Sequence, residues 1–268
     1  MEIGRLMWMT VCLLNIGQTF GLYFSCLNHS GLTSIPGDID PSVSYLYCKY
    51  NEISTITRSD FNDKYPELET VFLGWNKITS VERGCFKGTV LKLINFYDNQ
   101  LTIFPDFYEV KNTLTMVSLA QNRITKISIN EINYLTKLAK LYLSNNPLVQ
   151  LPELTNLCPS LDLLYLIDIE LECCQSTVWL KRIPDTLYVR MNEQPCSTPS
   201  KWNQTNWNDL TEDMLLQQPC GMPSLDWTPS DMRIGWTFAA EPDQEVVVFF
   251  SDVIRGHAWH RVWRLSLL

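Results

Sequence analysis

The sequence predicts an α/β solenoid, with parallel strands lining a concave wall and irregular or short-helical turns on the convex side. Three observations predict it. From Leu68 to Asn146 the chain reads LETVFLGWNKI, LKLINFYDNQL, LTMVSLAQNRI and LAKLYLSNNPL, each copy apolar at positions one, four, six and eleven. Position nine of successive copies is Asn51, Asn76, Asn99, Asn122 and Asn146, at separations of 25, 23, 23 and 24 residues. Around each centre the side chains alternate inward and outward, the period of a short strand. Self-similarity at a fixed period of this length marks stacked coils.

The copies extend in both directions. VSYLYCKYNEI places Cys48 where a leucine is usual, and LDLLYLIDIEL places Ile169 in the asparagine slot. Position four supplies one inward column, Leu46, Val71, Ile94, Val117, Leu141 and Leu164. Two residues on come Cys48, Leu73, Phe96, Leu119, Leu143 and Leu166, and the two columns should fill one continuous core. A buried asparagine needs partners, and its amide both donates and accepts. Stacked turns supply them, so the asparagines should form a ladder joining each coil's backbone to its neighbours. This pattern resembles the extracellular leucine-rich-repeat proteins from roughly Cys26 to Cys220. The resemblance implies a leucine-rich-repeat horseshoe of about six coils over 43–172. It also implies an N-terminal cap over 22–42 and a C-terminal cysteine cap over 173–220.

Composition agrees with an exported protein. Arg5 precedes an apolar segment, Leu6 to Ile16, and Thr19 and Gly21 offer small residues for cleavage, so 1–21 reads as a signal peptide. The segment is too short to span a bilayer. Cys12 would leave with it, and the remaining cysteines of an exported chain favour disulfides over metal. Asn28-His29-Ser30 and Asn203-Gln204-Thr205 are glycosylation sequons. A net charge of −8 and a pI of about 4.9 argue against nucleic acid as a partner.

At the N-terminus GLTSIP, a proline-bearing turn and the first copy resemble the N-terminal cap of the same family, which usually carries four cysteines. Here Cys26 has no partner upstream outside the signal. Its nearest candidate is Cys48, one coil on, and adjacent strands lie close enough for a bridge; two buried free thiols are the alternative. On the convex side Ile53-Ile56-Phe61, Ile78-Val81-Phe86 and Ile124-Ile127-Ile132 recur at similar offsets and should point inward. Cys85 and Cys158 lie three coils apart, about 15 Å, too far for a disulfide, and read as structural thiols. Cys173, Cys174, Cys196 and Cys220 with Trp179-Leu180 resemble the C-terminal cap, whose family pairing implies Cys173–Cys196 and Cys174–Cys220. In the family one residue separates the first two cysteines. Here they are adjacent, so either the local backbone differs or the pairing swaps, and sequence alone does not choose among three connectivities. Val178 to Tyr188 reads as a short helix broken at Pro184. Beyond Cys220 the pattern stops: Pro219, Pro223 and Pro229 mark a linker, Glu245–Phe250 reads as one strand without an evident partner, and 221–268 is expected to be poorly ordered.

The outward columns carry the functional reading. They run Tyr45, Thr70, Leu93, Met116, Lys140, Leu163; then Tyr47, Phe72, Asn95, Ser118, Tyr142, Tyr165; then Lys49, Gly74, Tyr97, Ala120, Ser144, Ile167, with Tyr50, Trp75 and Asp98 just beyond. Charges are sparse and aromatics common, as at binding hot spots, although tyrosine also suits a strand surface by propensity alone. The expected ligand-binding residues are Tyr45, Tyr47, Phe72, Trp75 and Tyr97, with Tyr142 and Tyr165 further along. Family resemblance implies an extracellular protein or glycan partner in recognition, adhesion or matrix roles. A receptor ectodomain whose membrane span lies outside this chain, or a structural component of the extracellular matrix, is the alternative. No phosphate loop, nucleophile turn or acid–base constellation is present, so no enzyme, cofactor or catalytic residue is expected. His257-x-x-His260 has no companion ligands in sequence and is not read as a metal site.

Overall fold

The computed structural model describes residues 22–26 and 28–221, and the backbone of 246–254 and 257–265. The signal segment read over 1–21 lies outside the described residues. The chain splits into two compact units, Met1–Ser224 and Leu225–Leu268.

In the first unit eight parallel strands form one sheet in chain order among the described residues: β1 Leu22–Ser25, β2 Val43–Tyr47, β3 Thr70–Phe72, β4 Leu93–Asn95, β5 Met116–Ser118, β6 Lys140–Tyr142, β7 Leu163–Leu166 and β8 Tyr188–Met191. Each coil contributes one short strand because only the residues around its L-x-L centre alternate. Register keeps equivalent positions side by side: Leu46 faces Val71, Val71 faces Ile94, and so on to Leu164. Both inward columns are fully buried. The caps add strands at both ends of the sheet. β1 pairs with β2 through Tyr23↔Tyr45 and Ser25↔Tyr47, and β8 pairs with β7 through Arg190↔Tyr165.

The convex side is built from turns and single-turn helices. Thr57 opens Arg58–Phe61 and Ser128 opens Ile129–Ile132 by the same device: the carboxylate of Asp60 or Glu131 accepts the N-cap amide at 2.6 and 2.7 Å. Behind these turns a row of buried rings runs along the solenoid, Phe61 to Phe86 at 5.5 Å and Phe86 to Phe107 at 6.0 Å. Gly88 (φ +78°) lets two turns touch, because a Cβ there would stand 2.6 Å from Asp63 Oδ1 and 3.0 Å from Asp63 Cα.

The asparagine ladder is continuous from Asn76 to Asn146. Each Oδ1 accepts a backbone N–H of the preceding coil: Ile53 to Asn76, Ile78 to Asn99, Leu101 to Asn122 and Ile124 to Asn146, at 2.9–3.1 Å. Each Nδ2 donates to one carbonyl of the preceding coil and one of its own, as Asn99 does to Leu73 and Phe96 at 3.0 and 3.1 Å. Asn51 caps the row, accepting from Ser30 Oγ and the Leu32 amide. Ile169 ends it. The Leu148 N–H, which an asparagine at 169 would take, donates instead to the Asn146 carbonyl at 2.7 Å.

Disulfides close both ends. Cys26 is joined to Cys48 (Cα–Cα 4.7 Å), Cys173 to Cys196 (5.4 Å) and Cys174 to Cys220 (5.2 Å). The adjacency of Cys173 and Cys174 has a simple consequence. In extended backbone neighbouring side chains diverge, and here they serve two separate bridges. Cys173 sits against the parallel pair Leu171–Glu172 and Cys196–Thr198, while Cys174 leads into the 3₁₀ helix Gln175–Lys181. That helix stops before Pro184, and the chain then runs into β8 rather than on as helix. Cys85 and Cys158 are buried free thiols, both pushed up in pKa by burial, Cys158 to about 12. Such thiols hold little thiolate at neutral pH and are unreactive.

In the second unit the strand expected at 245–250 runs Val246–Ile254 and does have a partner, His257–Leu265, antiparallel from Val246↔Leu265 to Ile254↔His257. His257 and His260 both lie on the latter strand.

Candidate ligand-binding face

The outward columns lie in register on the concave side, and the turn that leaves them is the same in every coil. The residue just before position nine of each copy, a ladder asparagine in five coils and Ile169 in the last, takes left-handed backbone: Tyr50, Trp75, Asp98, Gln121, Asn145 and Asp168 all have φ between 54° and 57°. For a non-glycine residue this costs about 1–2 kcal/mol, which the ladder hydrogen bonds offset. The turn brings these side chains into a row beside the strand columns. Gly74 lets neighbouring coils close up there, since a Cβ would stand 3.1 Å from the Tyr97 carbonyl oxygen that accepts the Trp75 N–H at 2.8 Å.

Rings gather at the N-terminal end. In the left-handed row His29 stacks on Tyr50 (5.2 Å between centroids), Tyr50 on Trp75 (4.4 Å, 15° between planes), and Trp75 leans on Tyr97 (4.8 Å). In the neighbouring column Tyr47 stacks on Phe72 (4.6 Å, 23°), with Tyr23 against Tyr47 at 4.6 Å. Lys49 joins the two sets, its Nζ 4.4 Å from the Phe72 ring centre and 5.7 Å from that of Trp75. Contacts of this kind contribute about 0.5–1 kcal/mol at exposed sites.

The seven aromatic residues expected to bind thus fall into two groups. Tyr45, Tyr47, Phe72, Trp75 and Tyr97 lie at the N-terminal end, all half-buried, with Tyr45 beside Tyr47 on β2. Tyr142 and Tyr165 form a separate stacked pair (5.0 Å, 27°), with the Arg190 guanidinium 5.8 Å from the Tyr165 ring. Between the groups the columns carry Asn95, Ser118 and Ala120, the last buried. Thr70, between Tyr45 and Leu93 in register, is also covered. Burial raises the pKa of Tyr47 and Tyr142, and nearby phenols add to it: Tyr23 and Tyr45 for the first, Tyr165 for the second. Their hydroxyls stay protonated donors throughout the physiological range. Asn28 and Asn203, the two sequon asparagines, are exposed.

Sequence reasoning missed Tyr23, His29 and Arg190. Tyr23 was findable, because it precedes Cys26 by the interval that separates Tyr45 from Cys48. His29 likewise stands to Cys26 near the place that Tyr50 has to Cys48. Arg190 carries no such signal, since the C-terminal cap has lost the repeat.

No protein-family model matches the chain. Among curated proteins it is 33% identical to bovine (Bos taurus) asporin over 123 residues, covering 43% of this chain and 33% of asporin. It is 29% identical to mouse (Mus musculus) mimecan over 185 residues, covering 68% of this chain and 58% of mimecan. The chain therefore spans between a third and three-fifths of the length of these relatives, which are secreted small leucine-rich proteoglycans. Among solved structures, a leucine-rich-repeat protein of Leptospira interrogans superposes with a TM-score of 0.54 at 23% identity, over 65% of this chain and 43% of that one. No helix of the described residues is long and apolar enough to cross a membrane. With its stacked coils, its buried asparagine ladder and a disulfide-bonded cap at each end, the chain is an extracellular leucine-rich-repeat protein.

Proposed function

We propose that this protein acts by binding rather than catalysis, and that it grips an extracellular protein or glycan on the N-terminal part of its concave face. One observation carries the reading. The rings of Tyr47, Phe72 and Tyr97 on the strand columns, and of Tyr50 and Trp75 at the left-handed turns beside them, are assembled against one another, and all five remain partly exposed. Their packing on one another lowers the entropy lost when a ligand orders them, which favours a preformed binding patch. The test is capture of extracellular ligands by immobilised protein, comparing wild type with the Phe72→Ala/Tyr97→Ala variant. Secretion and thermal stability should be retained and capture lost; a variant with undiminished capture would remove the site from this patch.

A second reading, a structural component of the extracellular matrix, is favoured by the relatives being secreted proteoglycans. Co-sedimentation with fibrillar polymers such as collagen, in preference to discrete soluble ligands, would support it.

A further inference from the structure

Charge on the concave wall runs against charge on the whole protein. The chain carries a net −8. The outward positions of β1 to β8, with those that follow them in the third column, include Lys49, Lys140 and Arg190 and no acidic residue. None of these basic groups is paired with a carboxylate among the described residues. Two of them stand beside rings, Lys49 at Phe72 and Trp75 and Arg190 at Tyr165, and Lys140 lies two residues from Tyr142 on the same strand face. Asp98 and Asp168 lie in the left-handed row beyond, and Asp168 is held by Asn192 Nδ2 at 2.8 Å.

Ring orientation points the same way. Tyr47 and Phe72, Tyr50 and Trp75, and Tyr142 and Tyr165 turn their faces to one another along the solenoid. Ring faces are the negative part of the quadrupole and ring edges the positive part. What these pairs offer a ligand is therefore positive edges and, from the tyrosines, hydroxyl donors, next to unpaired cations. Sugar rings, which lay their C–H groups on aromatic faces, find one face of each of these rings already covered. The basic groups are also sparse. Four strand steps, about 19 Å along the solenoid, separate Lys49 from Lys140, and two, about 10 Å, separate Lys140 from Arg190. A densely sulfated polysaccharide is matched by a continuous basic stripe, whereas an extended peptide at roughly 3.3 Å per residue is matched by charges several residues apart.

Resting on the concave-face reading above, we infer that the ligand is an acidic polypeptide segment lying extended across the strands. Its carboxylates pair with Lys49, Lys140 and Arg190, and its apolar residues pack on the tyrosine and tryptophan edges.

The test is fluorescence anisotropy of the whole secreted protein with a labelled peptide of about a dozen residues, long enough to cross these positions in extended form. It carries aspartate at every third position with leucine and tyrosine between, and its counterpart replaces each aspartate by asparagine. The acidic peptide should bind, weaken as salt rises, and bind at least tenfold better than the counterpart. Lys49→Gln/Lys140→Gln/Arg190→Gln should cost at least tenfold, while Lys64→Gln/Lys126→Gln/Lys137→Gln, exposed residues outside the strands, should cost nothing. Equal binding of the two peptides, no binding of the acidic one, or preference for heparin over it would overturn the inference. Loss on Phe72→Ala/Tyr97→Ala with none on the basic triple variant would sink the acidic ligand and leave the concave face standing. The reverse pattern would sink the aromatic patch.

Discussion

The two ends of the solenoid are held in different ways. At the N-terminal end one disulfide, Cys26–Cys48, joins a cap strand to the first coil, and the asparagine ladder runs unbroken behind it. At the C-terminal end the ladder stops at Ile169, and two bridges, Cys173–Cys196 and Cys174–Cys220, take over within a few residues. The difference teaches what the ladder does. Between coils its hydrogen bonds are the means of satisfying backbone groups that no strand reaches. At a terminus a covalent cross-link can replace them, provided the stranded N–H finds another acceptor, as Leu148 does. The aromatic rows follow the same division: they are extensive where the cap is a single strand and shrink to one tyrosine pair where the cap is an irregular cysteine-bonded block.

Breaking the ladder inside the solenoid should have the largest effect. Asn99→Leu strands the Ile78 N–H and removes donors to Leu73 and Phe96; a lost acceptor of a buried N–H and two lost hydrogen bonds sum to about 3–4 kcal/mol. Urea denaturation should show the unfolding free energy falling by that amount. Removing the bridges sharpens the comparison. Cys26→Ala/Cys48→Ala and Cys173→Ala/Cys196→Ala open loops of nearly equal length, sequence separations 22 and 23, so chain entropy alone assigns each about 3 kcal/mol. Their consequences should differ. The first frees β1 with Tyr23 and His29, so it should weaken ligand capture as well as stability. The second leaves its cap tethered through Cys174–Cys220 and loosens, of the ligand-facing groups, Arg190 alone, so it should weaken capture less than the first. Proteolysis near residue 26 in the first variant alone would show the asymmetry.

Smaller effects test the details. Gly88→Ala meets the Asp63 backbone and forces a side chain into left-handed φ, a cost of about 1–2 kcal/mol read as a drop in Tm. Ile169→Asn, which restores the ladder at its end, should change stability by less than about 1 kcal/mol, because the Leu148 N–H already has an acceptor. A gain as large as the Asn99→Leu loss would show that the last coil is strained by its missing asparagine.

Period and polarity alone determined the solenoid. A leucine-rich strand every two dozen residues leaves each coil unable to bury itself, and an asparagine repeated in register has satisfactory partners only in the next coil. The inward columns, the ladder and the concave placement of Tyr47, Phe72, Trp75 and Tyr97 follow from that, because each depends on a residue's place in its own repeat. What only the tertiary structure decided lies where the repeat fails or where several coils act together. The strands Leu22–Ser25 and Tyr188–Met191 extend the sheet from segments without the full motif, the first keeping only the interval from Tyr23 to Cys26, since the outermost coils present unpaired edge hydrogen-bonding groups. The division of the rings into two groups, the turning of their faces toward one another, and the gathering of Lys49 and Arg190 against them are set by spacing between coils. A linear pattern lists the side chains of the wall; stacking distance and the left-handed turn decide which of their surfaces meet a ligand.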